Sequence, residues 1–268
     1  MNYSYYTPEE PLSSFVKCFW LLNSSSCSEE QNCNIILPTG CIELVFYYGD
    51  VNSNKRKNSK SYGVVAGQRT SRTEIFPSCY SGLISAMLRP EAAGLILGDS
   101  AYYFSGSYVD AESVFGSETS TLYDKLSEAK TDSARFIFVE SFLKTRIKKT
   151  GKVLNKRIVE GINQLSRIDK NMRIDTLAEI LNLSKRQMER VFLSEVGLAP
   201  KNFARVLRFQ KVFALRNRKP HVSLTELAYE CGFSDQAHFI NDFKSLSGFT
   251  PKEYFKTYPA YSDYFTFL

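Results

Sequence analysis

The chain has 268 residues, 43% of them hydrophobic and 23% charged, with a formal net charge of +6; that is enough length and apolar content for two ordinary domains with packed cores. No uninterrupted apolar stretch approaches the ~18 residues of a spanning helix, so no membrane partner is expected. Residues 1–150 carry 15 Lys and Arg against 16 Asp and Glu, whereas residues 151–268 carry 19 against 12. The basic excess that a polyanionic partner requires is thus confined to the second half.

The start, MNYSYYTPEEPL, has neither the basic residues nor the apolar core of a signal peptide, and a cytoplasmic protein is expected. Cys18, Cys27, Cys33, Cys41, Cys79 and Cys231 have no paired short spacing and read as reduced structural thiols. Zinc held by Cys27 and Cys33 is disfavoured by their separation and by the lack of a nearby histidine. Short apolar runs rich in β-branched and aromatic residues predict strands at Phe15–Leu22, Ile35–Leu37, Cys41–Tyr48, Gly63–Gly67 and Gly82–Leu88. Asp50–Ser61, with Lys55, Arg56, Lys57 and Lys60, reads as a solvated hairpin tip. Helices are predicted at Arg89–Gly98, Leu122–Ala129 and Ala134–Lys149. The last has Phe136, Ile137, Phe138, Phe142, Leu143 and Ile147 on a wide apolar face, which must pack on the sheet or on its copy in a second subunit. Polar, basic Thr145–Asn155 is the expected linker, dividing the chain into domains 1–150 and 151–268.

The only histidines, His221 and His238, lie in the second half. A histidine-based metal centre and Ser-His-Asp or Cys-His chemistry are thereby removed from the first half, and no enzyme activity, metal or cofactor is expected. Glu43, in the Cys41–Tyr48 strand, is a candidate to line a polar ligand pocket with Arg69 and Arg89; an exposed or locally paired charge is the plainer reading.

After an opening helix at Arg157–Ile168, one unit occurs twice. Its copies are LAEILNLSKRQMERVFLSEVGLAPKNF from Leu177 and LAYECGFSDQAHFINDFKSLSGFTPKEYF from Leu227, which align with one single-residue gap. Asn182 and Gly232 stand where the chain needs a left-handed residue after a helix. Ser184 and Ser234 follow as expected N-caps, with Gln187 completing a capping box. Met188, Val191, Phe192, Phe239 and Phe243 recur at core spacing, leaving Lys185, Arg186, Glu189 and Arg190, then Gln236, Ala237, His238, Asn241 and Lys244, on the free face. These are two helix-turn-helix units whose free faces carry side chains suited to base edges and phosphates. Pro200–Arg218 would be the helix that joins them, about 27 Å long at ~1.5 Å per residue, burying Phe203, Val206, Leu207, Phe213 and Ala214. That is near the ~34 Å between successive turns of a DNA groove. Ser223 with Glu226, and Thr250 with Glu253, form further capping boxes. The aromatic tail PAYSDYFTFL has no assigned role.

The run LSKRQMERVF, then GLAP, Arg205 and Arg208, then LAYECGFSDQAHFINDFKSLSGFTPKEYF, resembles the DNA-binding domain of AraC/XylS transcription regulators over Lys156–Tyr258. The resemblance implies double-stranded DNA as partner, with the second helix of each unit entering successive major grooves. It also implies that Arg205 and Arg208 tie the units together, with phosphate contact as the alternative, and that RNA polymerase is a partner in activation or repression. PLSSFVKCFW, LPTGCIELVFYYG, VAGQ and MLRPEAAGLILGDSA resemble the cupin-like N-terminal domain of one subgroup of that family. Such domains sense a small molecule, form a homodimer, or both. The expected fold class is two domains: an N-terminal, mixed β-rich one with cupin-like β-structure and flanking helices, and a C-terminal all-α tandem helix-turn-helix. An enzyme of the methyl-accepting DNA-repair type is argued against by Cys79, which has neither Pro nor His adjacent. A protein rather than DNA as partner is argued against by the basic excess and by Arg186 with Arg190.

Overall fold

The computed structural model describes residues 2–23, 34–49, 61–75, 82–167 and 174–257. Its strands are β1 (Asn2–Tyr6), β2 (Val16–Asn23), β3 (Asn34–Ile36), β4 (Glu43–Tyr48), β5 (Gly63–Ala66), β6 (Thr73–Ile75), β7 (Gly82–Leu88) and β8 (Tyr108–Asp110). Its α-helices are α1 (Ala93–Leu97), α2 (Ala111–Phe115), α3 (Glu118–Glu128), α4 (Asp132–Thr150), α5 (Lys156–Ser166), α6 (Ile174–Ile180), α7 (Lys185–Val196), α8 (Pro200–Arg218), α9 (Leu224–Glu230), α10 (Gln236–Ser247) and α11 (Pro251–Thr257). An antiparallel sheet region is followed by a helical one. Cys27, Cys33, Cys79, the basic stretch from Asp50 to Lys60 and the tail from Tyr258 lie outside the described residues.

The sheet runs β1-β2-β7-β4-β5-β8, with β3 and β6 paired as a separate ribbon. Side chains alternate between faces along each strand, so register decides which residues share one. Phe19 pairs with Ala86 and Leu21 with Ile84, while across β7 Ala86 pairs with Leu44 and Ile84 with Phe46. This apolar face is covered by Leu95 and Ile96 of α1, Leu122 and Leu126 of α3, and Phe136, Val139 and Leu143 of α4. The same register puts Trp20, Ser85 and Val45, and then Met87 and Glu43, on the opposite face.

The apolar face of α4 is used on this core. Phe46 meets Phe142 edge-on with ring centres 5.3 Å apart, and Phe138 and Ile147 also pack on the cluster. Ile137 is the exception, at 63% exposed. Of the two destinations open to that face, the sheet of its own chain takes nearly all of it. The expected linker needs correction, because α4 continues through Thr150 and stops at Gly151, a left-handed residue with φ of 58°. In that last stretch Thr145, Lys148 and Lys149 are exposed while Ile147 packs on the core, and the non-helical connection is Gly151–Asn155. Strands β1, β6 and β8 and helix α2 were not anticipated; each is five residues or fewer.

In the helical region a single core runs along α8. Phe203 lies 6.4 Å from Phe192 of the first unit, whereas Phe209 lies 5.1 Å from Phe243 of the second and 4.9 Å from Phe213. Val206 and Val212 are buried with them, while Leu207 and Ala214, expected inside, are half-buried. Leu37, next to β3, belongs to this core as well, so the β3–β6 ribbon seats on the helical region. Truncating Phe209 would open a cavity in the middle of the shared core. Phe209→Ala is expected to lower unfolding free energy by about 3 to 5 kcal/mol, read by urea titration followed by helical circular dichroism.

Candidate nucleic-acid interface

Each unit is built by the same local chemistry. The first helix ends in a Schellman pattern, with the Leu183 N–H donating to Ala178 O at 3.0 Å in one copy and the Phe233 N–H donating to Ala228 O at 2.9 Å in the other. The residue between is left-handed in both, Asn182 at φ of 51° and Gly232 at 84°. Ala178 and Ala228 are buried where a larger side chain would separate the crossing helices.

The second helix of each unit is capped differently. Ser184 and Gln187 form the expected capping box on α7. On α10 the cap is Asp235, whose carboxylate accepts from the His238 N–H at 2.8 Å. The Ser234 cap is therefore corrected by one residue: the single-residue gap falls in the turn, so Asp235 occupies the place of Ser184. The boxes of Ser223 with Glu226 and Thr250 with Glu253 are both formed.

Capping and burial leave one face of each second helix open. On α7, Lys185, Arg186, Glu189 and Arg190 are exposed; Lys185 reaches back to Asp175 at 2.7 Å. On α10, Gln236, Ala237, Asn241 and Lys244 are exposed and His238 is half-buried. His238 is partly engaged, with Nδ1 3.0 Å from Ser234 Oγ and Nε2 3.4 Å from Asp242 Oδ2. Its ring also meets that of Phe233 edge-on.

Asp242, which lies on the same helix, faces inward. Arg205 Nε donates to Asp242 Oδ1 at 2.7 Å, and Arg208 Nη2 lies 3.7 Å from Oδ2. The Arg208 guanidinium stands 5.6 Å from the Phe233 ring centre. Burial pulls the Arg208 pKa down and the Asp242 carboxylate holds it up. Both arginines of α8 thus tie it to α10, and the aspartate's charge is spent on them.

The candidate ligand residues separate. Glu43 is 8% exposed, and its Oε2 accepts from Ser85 Oγ at 2.9 Å and Trp20 Nε1 at 3.2 Å. Burial pushes its carboxyl above the ordinary range, while those two hydrogen bonds and the charge of Arg69 act the other way. Arg69 lies over the Tyr108 ring at 4.1 Å and donates from Nη1 to Thr73 Oγ1 at 2.6 Å; among the described residues its buried Nη2 has no hydrogen-bond partner. Arg89 is drawn elsewhere, its Nε donating to Ser13 O at 2.5 Å. Trp20, Ser85 and Tyr108 belong with Glu43 and Arg69 and were missed. Alternation along β2 and β7 is the signal that finds Trp20 and Ser85, once their register with Glu43 is known.

Taken together, these elements define a tandem helix-turn-helix module joined to a sheet domain. Residues 177–257 match the family model described as a helix-turn-helix domain, and residues 4–110 match one described as a domain of unknown function (DUF6597). The first of these segments is a helix-turn-helix domain of the AraC/XylS type. The chain is 35% identical over 79 residues to the HTH-type transcriptional activator RhaS of Escherichia coli (strain SE11), covering 30% of this chain and 28% of that protein. It is 25% identical over 160 residues to the probable transcriptional regulator LumQ of Photobacterium leiognathi, covering 56% of this chain and 63% of that protein. The chain therefore spans less than two-thirds of the length of either relative. The crystal structure of ToxT from Vibrio cholerae O395, bound to (E)-4-(8-methylnaphthalen-1-yl)but-3-enoic acid, aligns over 95% of this chain and 98% of that one at 13% identity with a TM-score of 0.44.

Two outcomes are expected. Asp242→Ala leaves Arg205 and Arg208 without their counter-charge in a mostly buried setting, and should lower stability by about 2 to 4 kcal/mol in urea titration. Glu43 favours its protonated form in the folded chain, so it costs stability as pH rises through its raised pKa, and the cost is fully present above that value. The protection of β4 and β7 amides in Glu43→Gln, relative to the native chain, should therefore improve as pH rises above the ordinary carboxylate range. An unchanged difference would count against a buried charge there.

Proposed function

We propose that this protein is a sequence-specific transcription regulator that binds double-stranded DNA through the second helices of its two units, α7 and α10. The observation that carries the reading is the pair of open faces on a repeated scaffold: Lys185, Arg186, Glu189 and Arg190 on one, and Gln236, Ala237, His238, Asn241 and Lys244 on the other. The basic excess of residues 151–268 supports a polyanionic partner, and the 19 residues of α8 support docking in successive major grooves. In this reading residues 1–150 form the sensing domain and residues 151–268 the DNA-binding domain. The chain is a cytoplasmic regulator, activator or repressor, and not an enzyme.

A small-molecule effector would act through the first domain, where the buried carboxyl group of Glu43 and the Arg69 guanidinium offer polar recognition on a mostly apolar sheet face. Arg89, bonded to Ser13, would support the neighbouring turn. RNA polymerase and a homodimer are the further partners that the family resemblance supports.

The two faces should read different bases. Arg186 and Arg190, one turn apart, suit guanine O6 and N7, and Glu189 suits a cytosine amine; Gln236 and Asn241 suit adenine. Arg186→Ala or Arg190→Ala is expected to cost about 1 to 3 kcal/mol of affinity and to relax preference at defined base pairs, with smaller effects at Gln236 and Asn241. Binding-site selection with each variant measures this, and an unchanged consensus for both arginine variants would overturn the assignment. Affinity of the full chain should fall about tenfold or more over a fourfold rise in salt. Salt-insensitive binding would point to a protein partner instead.

A further inference from the structure

The two DNA-reading helices end alike, α7 at Gly197 with φ of 90° and α10 at Gly248 with φ of 82°. The sheet domain reaches both of these glycines, covering Gly197, which is buried, and touching Gly248, which is exposed, through one side chain. A Cβ on Gly197 would lie 3.0 Å from Ala101 O, 3.1 Å from Ser105 Oγ and 3.2 Å from Gln68 Cγ, and Ser105 Oγ donates to Gly197 O at 2.6 Å. A Cβ on Gly248 would lie 2.7 Å from Arg72 Nε, and the Arg72 guanidinium stands 4.8 Å from the ring centre of Phe249. Gln68 and Arg72 belong to one short segment, Gly67–Arg72, between β5 and β6.

The first part of that segment is held by hydrogen bonds, and Arg72 at its other end pairs with Glu74 of β6 at 3.3 Å. Gln68 is 1% exposed and donates from Nε2 to Gly40 O at 2.7 Å, while its own carbonyl accepts from the Gly106 N–H at 2.8 Å. The Gly67 N–H donates to Ser107 O at 3.0 Å. Gly40 in turn lies against the middle of α8, where a Cβ would be 3.5 Å from both Phe203 and Val206, and Gln210 of α8 donates to Pro38 O at 2.5 Å. One connected piece of the sheet domain therefore meets the end of each reading helix and the middle of the helix that joins them.

We infer that segment Gly67–Arg72 is a brace across the two reading helices, through which the first domain sets the separation of the two base-pair groups that the chain accepts. Gln68, Arg72 and Ser105 are then positioning residues for DNA recognition, although none of them lies on a DNA-reading face. The physical reason is that Arg205 and Arg208 tie α10 to α8 within the helical domain, whereas the brace adds contacts from the sheet domain at the capping glycine of each reading helix. The inference rests on the DNA-binding reading above for its spacing consequence, but not for the mechanical coupling itself.

The test uses the full chain and its Arg72→Ala/Ser105→Ala variant, selected against DNA libraries in which the spacer between the two base-pair groups varies. The native chain should prefer one spacer over its one-base-pair neighbours by about tenfold, and the variant should lose about fivefold or more of that discrimination while keeping its base preference within each group. Equal spacer discrimination in both would overturn the brace. A second arm needs no DNA: amide exchange in Arg72→Ala, whose side chain meets the α10 end and pairs with Glu74 of β6, should rise about fivefold or more at the last turn of α7 as well. A rise confined to the α10 end overturns the coupling, and unchanged exchange in β2 and β7 certifies that the variant is folded. If the native chain selects no DNA, the DNA-binding reading fails, and the exchange arm still decides the brace.

Discussion

Phe203, Phe209 and Phe213 are the buried rings of α8, and the placement of everything that can touch DNA depends on where they pack. Phe203 leans on Phe192, and Phe209 and Phe213 lean on Phe243, so a single rigid helix contributes to the cores of both units. Burying each ring contributes about 2 to 3 kcal/mol, and the apolar contacts set distance without setting direction. Direction comes from the polar bonds at the side of the helix, where Arg205 and Arg208 hold Asp242. A core alone would let the second unit roll about α8; the paired charges give it one orientation.

The sheet domain applies a similar division of labour. Its helix-covered face is an ordinary packed core, with phenylalanines from strands and helices meeting at angles. The other face carries a carboxylate, an indole, a hydroxyl and a guanidinium in a setting where unsatisfied polar groups cost free energy. Glu43 is satisfied on one oxygen by Trp20 and Ser85. Stability alone does not call for this arrangement, since an apolar residue would fill the place more cheaply.

The helical half was legible in the sequence because its signals are local. Asn182, Gly232, the capping boxes and Pro200 each act within a few residues, and the limits of α8 follow from Pro200 and the end of the periodic run. What could not be read had its cause elsewhere in the chain. Strands β1 and β8 owe their conformation to their pairing with β2 and β5. The linker was set too early because Thr145–Lys149, read both as the end of a helix and as the start of the linker, is basic on its exposed side, and only the left-handed turn at Gly151 fixes the stop. Asp235 was overlooked as a cap because a serine precedes it, and only the geometry of the turn decides between neighbours. The seating of Arg72 and Ser105 on two capping glycines is wholly tertiary, with no trace in local pattern.

One residue of the repeat shows what duplication has left behind. Counted from their caps, Val191 in the first unit stands where Asp242 stands in the second; one is half-buried among apolar side chains and the other holds two arginines. The units share a backbone design but have ceased to be interchangeable cassettes. A graft of the second unit into the first position would carry an aspartate away from its arginines, and the reverse graft would leave Arg205 and Arg208 facing a valine. Divergence here has moved out of the fold and into the sockets that each copy fits, so each copy is bound to its place in the chain.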